Sequence, residues 1–379
     1  MSSIVGPLRG YTLAMNVRQW TWLVLLTLPL LAQAAPPLTQ QGVNSQMTAA
    51  DPRWIALGRQ LFLDRRLSVN GTLSCANCHV PAMGFTHHQM ETAVGVAGRA
   101  GRRNAPTLLN VGRLPALFWD GREGDLEAQI WGPLLDPSEM ANPSRQAVVD
   151  RLAALPDYQV RFEVAFAGPV TAQRLGQALA AYQRSLVAMD SPWQRWLSGE
   201  VEALSDEARQ GLVLFGGKAG CYACHPLQSA DGLMTDHHYH RTGAGAPQRD
   251  RRPVLLPDGS QTQLGTLVNV GGAARPDLGR AEVTGEPTDQ GKFRTPGLRN
   301  VALTPPYMHD GSLPTLAAVV AFYNAGGGPV ADKSPRVMPL HLSAEEQRQL
   351  VAFLQALTGR EAQRWVQQAE ATPVGNPGD

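Results

Sequence analysis

Cys75-Ala-Asn-Cys78-His79 and Cys221-Tyr-Ala-Cys224-His225 between them hold all four cysteines of the chain. Cys-x-x-Cys-His is the attachment spacing of c-type haem. The two thiols add across the vinyl groups of one porphyrin, and the adjacent imidazole reaches the iron. A disulfide pair or a zinc ribbon draws on the same residue types. Two motifs that consume every cysteine, each followed by histidine, favour haem. The reading is therefore two covalently bound c-type haems with His79 and His225 as proximal iron ligands, and redox chemistry as the function.

Upstream of each motif lies a short amphipathic helical pattern, Trp54-Ile-Ala-Leu-Gly-Arg-Gln-Leu-Phe62 before the first and Ala208-Arg-Gln-Gly-Leu-Val-Leu-Phe215 before the second. This weak repeat predicts two cytochrome-c-like domains, residues 51–190 and 191–360, each binding one haem. Helices are expected over Ser144–Phe166, Thr171–Val187, Leu316–Tyr323 and Ser343–Leu357, the last opened by a Ser343/Glu346 capping box. Ser191–Leu204 reads as the connection between the domains and Ser229–Gly291 as loop. Residues 361–379 read as a polar tail without fold signals. With 38 Gly, 29 Pro and almost no period-two alternation, the class is mainly α and loop-rich.

A net charge of +1 supplies no field for nucleic acid or an anionic membrane. Arg18 and the apolar run Trp20–Leu31 precede Ala32-Gln-Ala34, a small-x-small cleavage pattern. Residues 1–34 thus read as a cleaved signal peptide, with Met15 a second possible start. The run is short and interrupted by Pro29, so no stable membrane anchor is expected. Export suits c-type haem, and the periplasm is the expected location.

Asn104-Ala-Pro-Thr-Leu-Leu-Asn110, Phe118-Trp-Asp-Gly-Arg122, Leu126-Glu-Ala-Gln129, Gly132-Pro-Leu and Pro137-Ser-Glu-Met140 resemble blocks of the bacterial dihaem cytochrome c peroxidases and MauG-type enzymes. Phe293-Arg-Thr-Pro-Gly-Leu-Arg-Asn300 and Leu303-Thr-Pro-Pro-Tyr-Met-His-Asp-Gly311 extend the likeness, which runs from about Asp51 to Gly359. The resemblance implies a peroxide-reactive haem in the N-terminal half and an electron-transfer haem in the C-terminal half. It also implies Trp119 between the haems and, ten and twenty residues on, Gln129 and Glu139 beside bound peroxide. These types suit O–O cleavage, since a carboxyl can take and return a proton and an amide can donate without titrating. Asn104, Thr304 and Pro306 match residues that hold a calcium ion, whose hard oxygen ligands they would supply.

What opposes His225 discriminates within the family. Twelve residues after Gly311, where carrier-dependent peroxidases place methionine, stands Tyr323. Tyrosine there resembles MauG, which oxidises a precursor protein. Thioether favours ferrous iron, whereas anionic oxygen favours higher oxidation states. Met338 in Arg336-Val-Met-Pro339 is the alternative ligand and Met308 a third. Two departures stand out. Gly95 occupies the place of the loop histidine that caps the first iron in many relatives, leaving His87 or His88 as lesser candidates, and Ala219 replaces the tryptophan that MauG carries just before its second motif. The histidines at 237, 238 and 240 read as a solvated loop, and Arg294 and Arg299 as partners of haem propionates.

The leading expectation is a periplasmic haem peroxidase. It would take hydrogen peroxide as substrate and a small electron donor, cytochrome c or cupredoxin, as partner. The alternative is a MauG-like oxidation of Trp or Tyr side chains on a protein substrate. A non-catalytic dihaem electron carrier comes third.

Overall fold

The computed structural model describes residues 50–245, 253–255, 260–263 and 277–375. The expected signal peptide, residues 1–34, lies outside them. Helices dominate, as expected. Among the described residues the only sheets are two antiparallel two-stranded pairs, Tyr239–His240 with Phe293–Arg294 and Pro253–Leu255 with Gln261–Gln263. No described helix is long and apolar enough to cross a membrane.

The run-up helices form where the sequence places them. Pro52–Leu63 starts at Asp51, whose carboxylate accepts from Arg53 N, with proline at the first helical turn. Asp206–Gly216 starts at Ser205, whose hydroxyl accepts from Ala208 N. Each then crosses a later helix of its own half at a glycine. A Cβ on Gly58 would lie 1.9 Å from Ala178 O in helix Ala172–Ser185, and one on Gly211 would lie 1.9 Å from Gln349 O in helix Ala344–Gln355. Four residues on, Phe62 and Phe215 are both fully buried. The weak repeat is thus a Gly-x-x-x-Phe helix crossing, used twice.

Two hydrophobic clusters result. One gathers buried side chains from Leu57 to Ala188, the other from Trp193 to Leu357. Ser343 and Glu346 form the expected reciprocal cap.

Three stretches differ from expectation. Ser144–Phe166 is two helices, Arg145–Ala153 and Pro156–Phe166, because Pro156 has no N–H to continue the first and instead opens the second. Ser191–Leu204 contains helix Pro192–Leu197, whose Trp193 is buried in the second cluster. The segment expected as a polar tail begins with helix Glu361–Glu370, where Ala362, Trp365, Val366 and Ala369 share one stripe. This helix returns to the first cluster: Trp365 Nε1 donates to Val187 O at 2.8 Å, and Gln60 Nε2 donates to Pro373 O at 2.9 Å. Its apolar residues are too few to register as a core signal by composition.

Gly211→Ala is expected to destabilise the holoprotein by about 1–3 kcal/mol, because overpacking displaces backbone. Gly216→Ala, whose Cβ meets nothing within 4 Å, should be neutral or slightly stabilising. Thermal unfolding followed by circular dichroism compares them.

Candidate dihaem site

Each haem motif is shaped by local backbone chemistry. Helix Cys75–Cys78 opens at Ser74, which shares a capping box with Asn77, so an intervening residue of the motif fixes the direction of both thiols. The second motif turns at Gly220, with φ +60°. All four cysteines are free of disulfides. Burial pushes the thiols of Cys75 and Cys78 up to about 12 and that of Cys221 up to about 11. Neutral, buried sulfur of this kind suits a thioether.

The histidines repeat one arrangement. His79 Nδ1 lies 3.1 Å from Phe85 O and His225 Nδ1 lies 2.9 Å from Met234 O. A carbonyl only accepts, so Nδ1 carries the hydrogen and Nε2 is left with its lone pair free. Burial lowers the pKa of both rings and keeps them neutral. Both line one cavity, which has about 2790 Å³ of empty space counting its open mouth, together with Cys78, Cys221 and Cys224.

Two buried arginines complete the fit. Arg294 lines the cavity and meets only backbone oxygens, Thr295 O at 3.3 Å and Phe118 O at 3.4 Å. Arg299 donates to Gly232 O, Ser191 Oγ and Gln194 Oε1, and burial followed by repulsion from Arg113 pushes it down to about 10. No described carboxylate pairs with either. Buried cations without an anion beside an apolar cavity suit the propionates of a bound haem.

On the His79 side the cavity brings together Gln129, Pro133, Glu139, Phe118, Trp119 and Arg122. Burial, helped by Asp136 and opposed by Arg122, pushes the Glu139 carboxyl up to about 7. Trp119 Nε1 donates to Asn104 O at 2.8 Å. Phe118, just before it, has φ +63°, a strained conformation of the kind that clusters at functional sites. Gly95 packs on the backbone that carries Glu139: a Cβ there would lie 2.1 Å from Ser138 O. Neither His87 nor His88 lines the cavity, and His88 Nε2 bonds instead to Leu303 O.

On the His225 side, helix Leu316–Asn324 presents Leu316, Val319 and Tyr323 to the cavity from one face. The Tyr323 phenol is held well above its usual range by burial and by the Cys224 and Cys221 sulfurs. Met338 also lines the cavity but is 62 % exposed, and Met308 lies at its edge with φ +74°. Asn104, Thr304 and Pro306 are all among the residues lining this cavity.

The three clustered histidines are not uniformly solvated. His237 pairs with Asp231, and His240 bonds to Asp236 at 3.0 Å and lines the cavity, leaving only His238 exposed. Pairing of Tyr239–His240 with Phe293–Arg294 sets His240 at the cavity. Cys224, Asp236 and His240 converge closely enough to hold a metal ion, but a thioether at Cys224 takes that sulfur out of use. Sequence reading also passed over Arg122 as a site residue, because it sits in the motif only as a surface-type cation.

Residues 52–202 match the family model of the di-haem cytochrome c peroxidases. Along the chain, "Cytochrome-c peroxidase IdrP1" of Denitromonas iodatirespirans is 40% identical over 313 residues, 80% of this chain and 81% of that protein. The chain belongs to the di-haem cytochrome c peroxidase and MauG family. It is a haem peroxidase-type oxidoreductase and takes two c-type haems. The methylamine utilization protein MauG of Methylorubrum extorquens is 36% identical over 315 residues, 82% of this chain and 80% of that protein. Among solved structures, a MauG-like protein associated with microbial copper homeostasis superposes with TM-score 0.70 at 31% identity, over 91% of this chain and 97% of that one. The diheme peroxidase BthA from Burkholderia thailandensis superposes with TM-score 0.65 at 26% identity, covering 84% and 88%.

With Cys221 and Cys224 both replaced by alanine, haem content per chain should fall by half, measured as the pyridine haemochrome. An unchanged ratio would refute thioether attachment at the second motif.

Proposed function

We propose that this member of the family activates hydrogen peroxide beside the haem held by Cys75, Cys78 and His79, and reduces it to water with electrons from a small cytochrome c or cupredoxin. The observation that carries the reading is Glu139, a buried carboxyl poised near neutral pH in the same cavity as His79. The haems, when bound, supply the iron and the electrons for O–O cleavage. In its ionised form Glu139 accepts a proton from incoming peroxide and returns it to the departing oxygen, which leaves as water. Gln129 donates a hydrogen bond to the charge that develops there, and because an amide does not titrate it does so at any working pH. Pro133 and Phe118 keep bulk water from that end of the cavity. Trp119, its indole fixed by Asn104 O, fills the space between the two halves, residues 51–190 and 191–360, that hold one haem each. Asn104, Thr304 and Pro306 would hold one Ca2+ at the cavity wall. Periplasmic location, by way of a signal peptide over residues 1–34, fits haem attachment outside the cytoplasm.

A second reading is favoured by Tyr323. Tyr323 would help His225 hold the second haem, and its anionic oxygen would favour higher oxidation states of the iron over acceptance of electrons from a carrier. The destination is then a Trp or Tyr side chain of a protein substrate, as in MauG-like enzymes. Tyr323 is half-buried on the helix face it shares with the buried Leu316, while Met338 is largely exposed. A non-catalytic carrier has no use for the Gln129/Glu139 pair.

Replacing Glu139 by Gln should slow the reaction with peroxide by about 10²–10⁴-fold. In the wild type the rate should rise with pH through about 7, because the ionised carboxyl is the base and burial holds its pKa there. Stopped-flow kinetics across pH checks both, and a pH-independent wild-type rate would remove Glu139 from the mechanism. Near-infrared spectra of the ferric protein decide the second ligand. Tyr323→Phe should alter the His225 haem, while Met338→Leu should leave it unchanged.

A further inference from the structure

The segment Phe118–Arg122 contains one charged side chain that reaches the peroxide end of the cavity without a role in the scheme above. The Arg122 guanidinium lies 3.4 Å over the Phe118 ring, and its Nη1 donates to both oxygens of Asp120, at 2.9 and 3.0 Å. Asp120 is itself buried and accepts from Arg103 Nη1 at 2.6 Å, so the anion that holds Arg122 is fixed from its other side. The Phe118 ring is fixed as well. Its φ is +63°, and it packs so closely on Gly132 that a Cβ there would lie 3.0 Å from Phe118 Cζ. A long flexible cation has thus been given a ring to lie on and a carboxylate to hold it, in the lining of the cavity that also holds Glu139 and Gln129.

We propose that Arg122 is a positioning residue of the peroxide site, whose fixed guanidinium keeps Glu139 able to accept a proton inside a desolvated cavity. This rests on the assignment of Glu139 as the base. The charged and titratable groups facing Glu139 are few. Asp136 repels its anion from the same turn, and the Cys75 and Cys78 sulfurs adjoin it from the first haem motif. Arg99 reaches the neighbouring Pro137 O at 3.2 Å, and Arg122, which lines the same cavity as the carboxyl, opposes the rise caused by burial and Asp136. Desolvation and Asp136 both drive Glu139 toward the neutral acid, which cannot start the reaction. A fixed positive charge opposes them without occupying the space that peroxide needs.

The test is an infrared pH titration of the Glu139 carboxyl in the resting dihaem protein, the band being assigned by its loss in Glu139→Gln. Arg122→Gln should raise the midpoint by about one pH unit or more, and Arg122→Lys, which keeps the charge, should restore most of that change. The pH profile of the peroxide reaction should move by the same amount. An unchanged midpoint in Arg122→Gln overturns the proposal. So does a midpoint raised equally by lysine and glutamine, which would make Arg122 a support for Phe118 only. If the midpoint moves as expected but the wild type ignores peroxide, the functional reading fails while the coupling of Arg122 to Glu139 stands.

Discussion

Asp120 is a buried carboxylate clamped between two guanidiniums, Arg103 at 2.6 Å and Arg122 at 2.9 Å. The backbone around it is equally occupied. Arg280 Nη1 donates to Asp120 O at 2.7 Å, and Arg294 N donates to Trp119 O at 2.8 Å. Arg103 continues the ladder to Asp277. One short stretch therefore ties residues from the second half of the chain to the wall of the first, with Trp119 between them. Of the two pairs only Arg103–Asp120 is largely buried on both sides, and removing one partner of such a pair costs about 3–5 kcal/mol, because it leaves a charge without compensation. The strained φ at Phe118 persists because this network over-determines it.

Around that fixed stretch the two haem motifs have diverged while their supports have not. The glycine crossings at Gly58 and Gly211, the buried Phe62 and Phe215, and the carbonyl partners of His79 and His225 are the same device built twice. The difference lies in what faces each histidine across the cavity. Gln129, Glu139 and Arg122 line one end, and the helix face of Leu316, Val319 and Tyr323 lines the other. Gly95 contributes by what it lacks, since any side chain there would strike the backbone that carries Glu139.

Much of this was legible beforehand, for physical reasons. Covalent haem attachment demands two thiols and an imidazole at fixed spacing, so the motifs announce themselves. Amphipathic period and capping chemistry mark the crossing helices. The rest depends on partners remote in sequence. Helix Glu361–Glu370 is polar by composition and acquires its place from Trp365 bonding to Val187 O. His240 looked like part of a solvated loop until strand pairing with Phe293 turned it inward. Arg122 reads as an ordinary surface cation because neither its ring nor its carboxylate says where Glu139, seventeen residues on, will be.

Glu139 shows why such a site has to be assembled from both directions. A carboxylate in water is ionised at neutral pH but too weak a base to take a proton from peroxide. Desolvation makes it more basic, and carried further it leaves the group protonated and idle. A working base needs burial strong enough to lift the carboxyl and a cation fixed nearby to limit the rise. The cavity supplies the first through Pro133, Phe118 and the haem-facing wall. On the proposed reading the ion ladder through Asp120 supplies the second by holding the half-exposed Arg122 guanidinium at the cavity lining. On the reading proposed above, the same buried carboxylate that anchors the tryptophan segment also holds the cation of the peroxide end, so a change at Asp120 would disturb both.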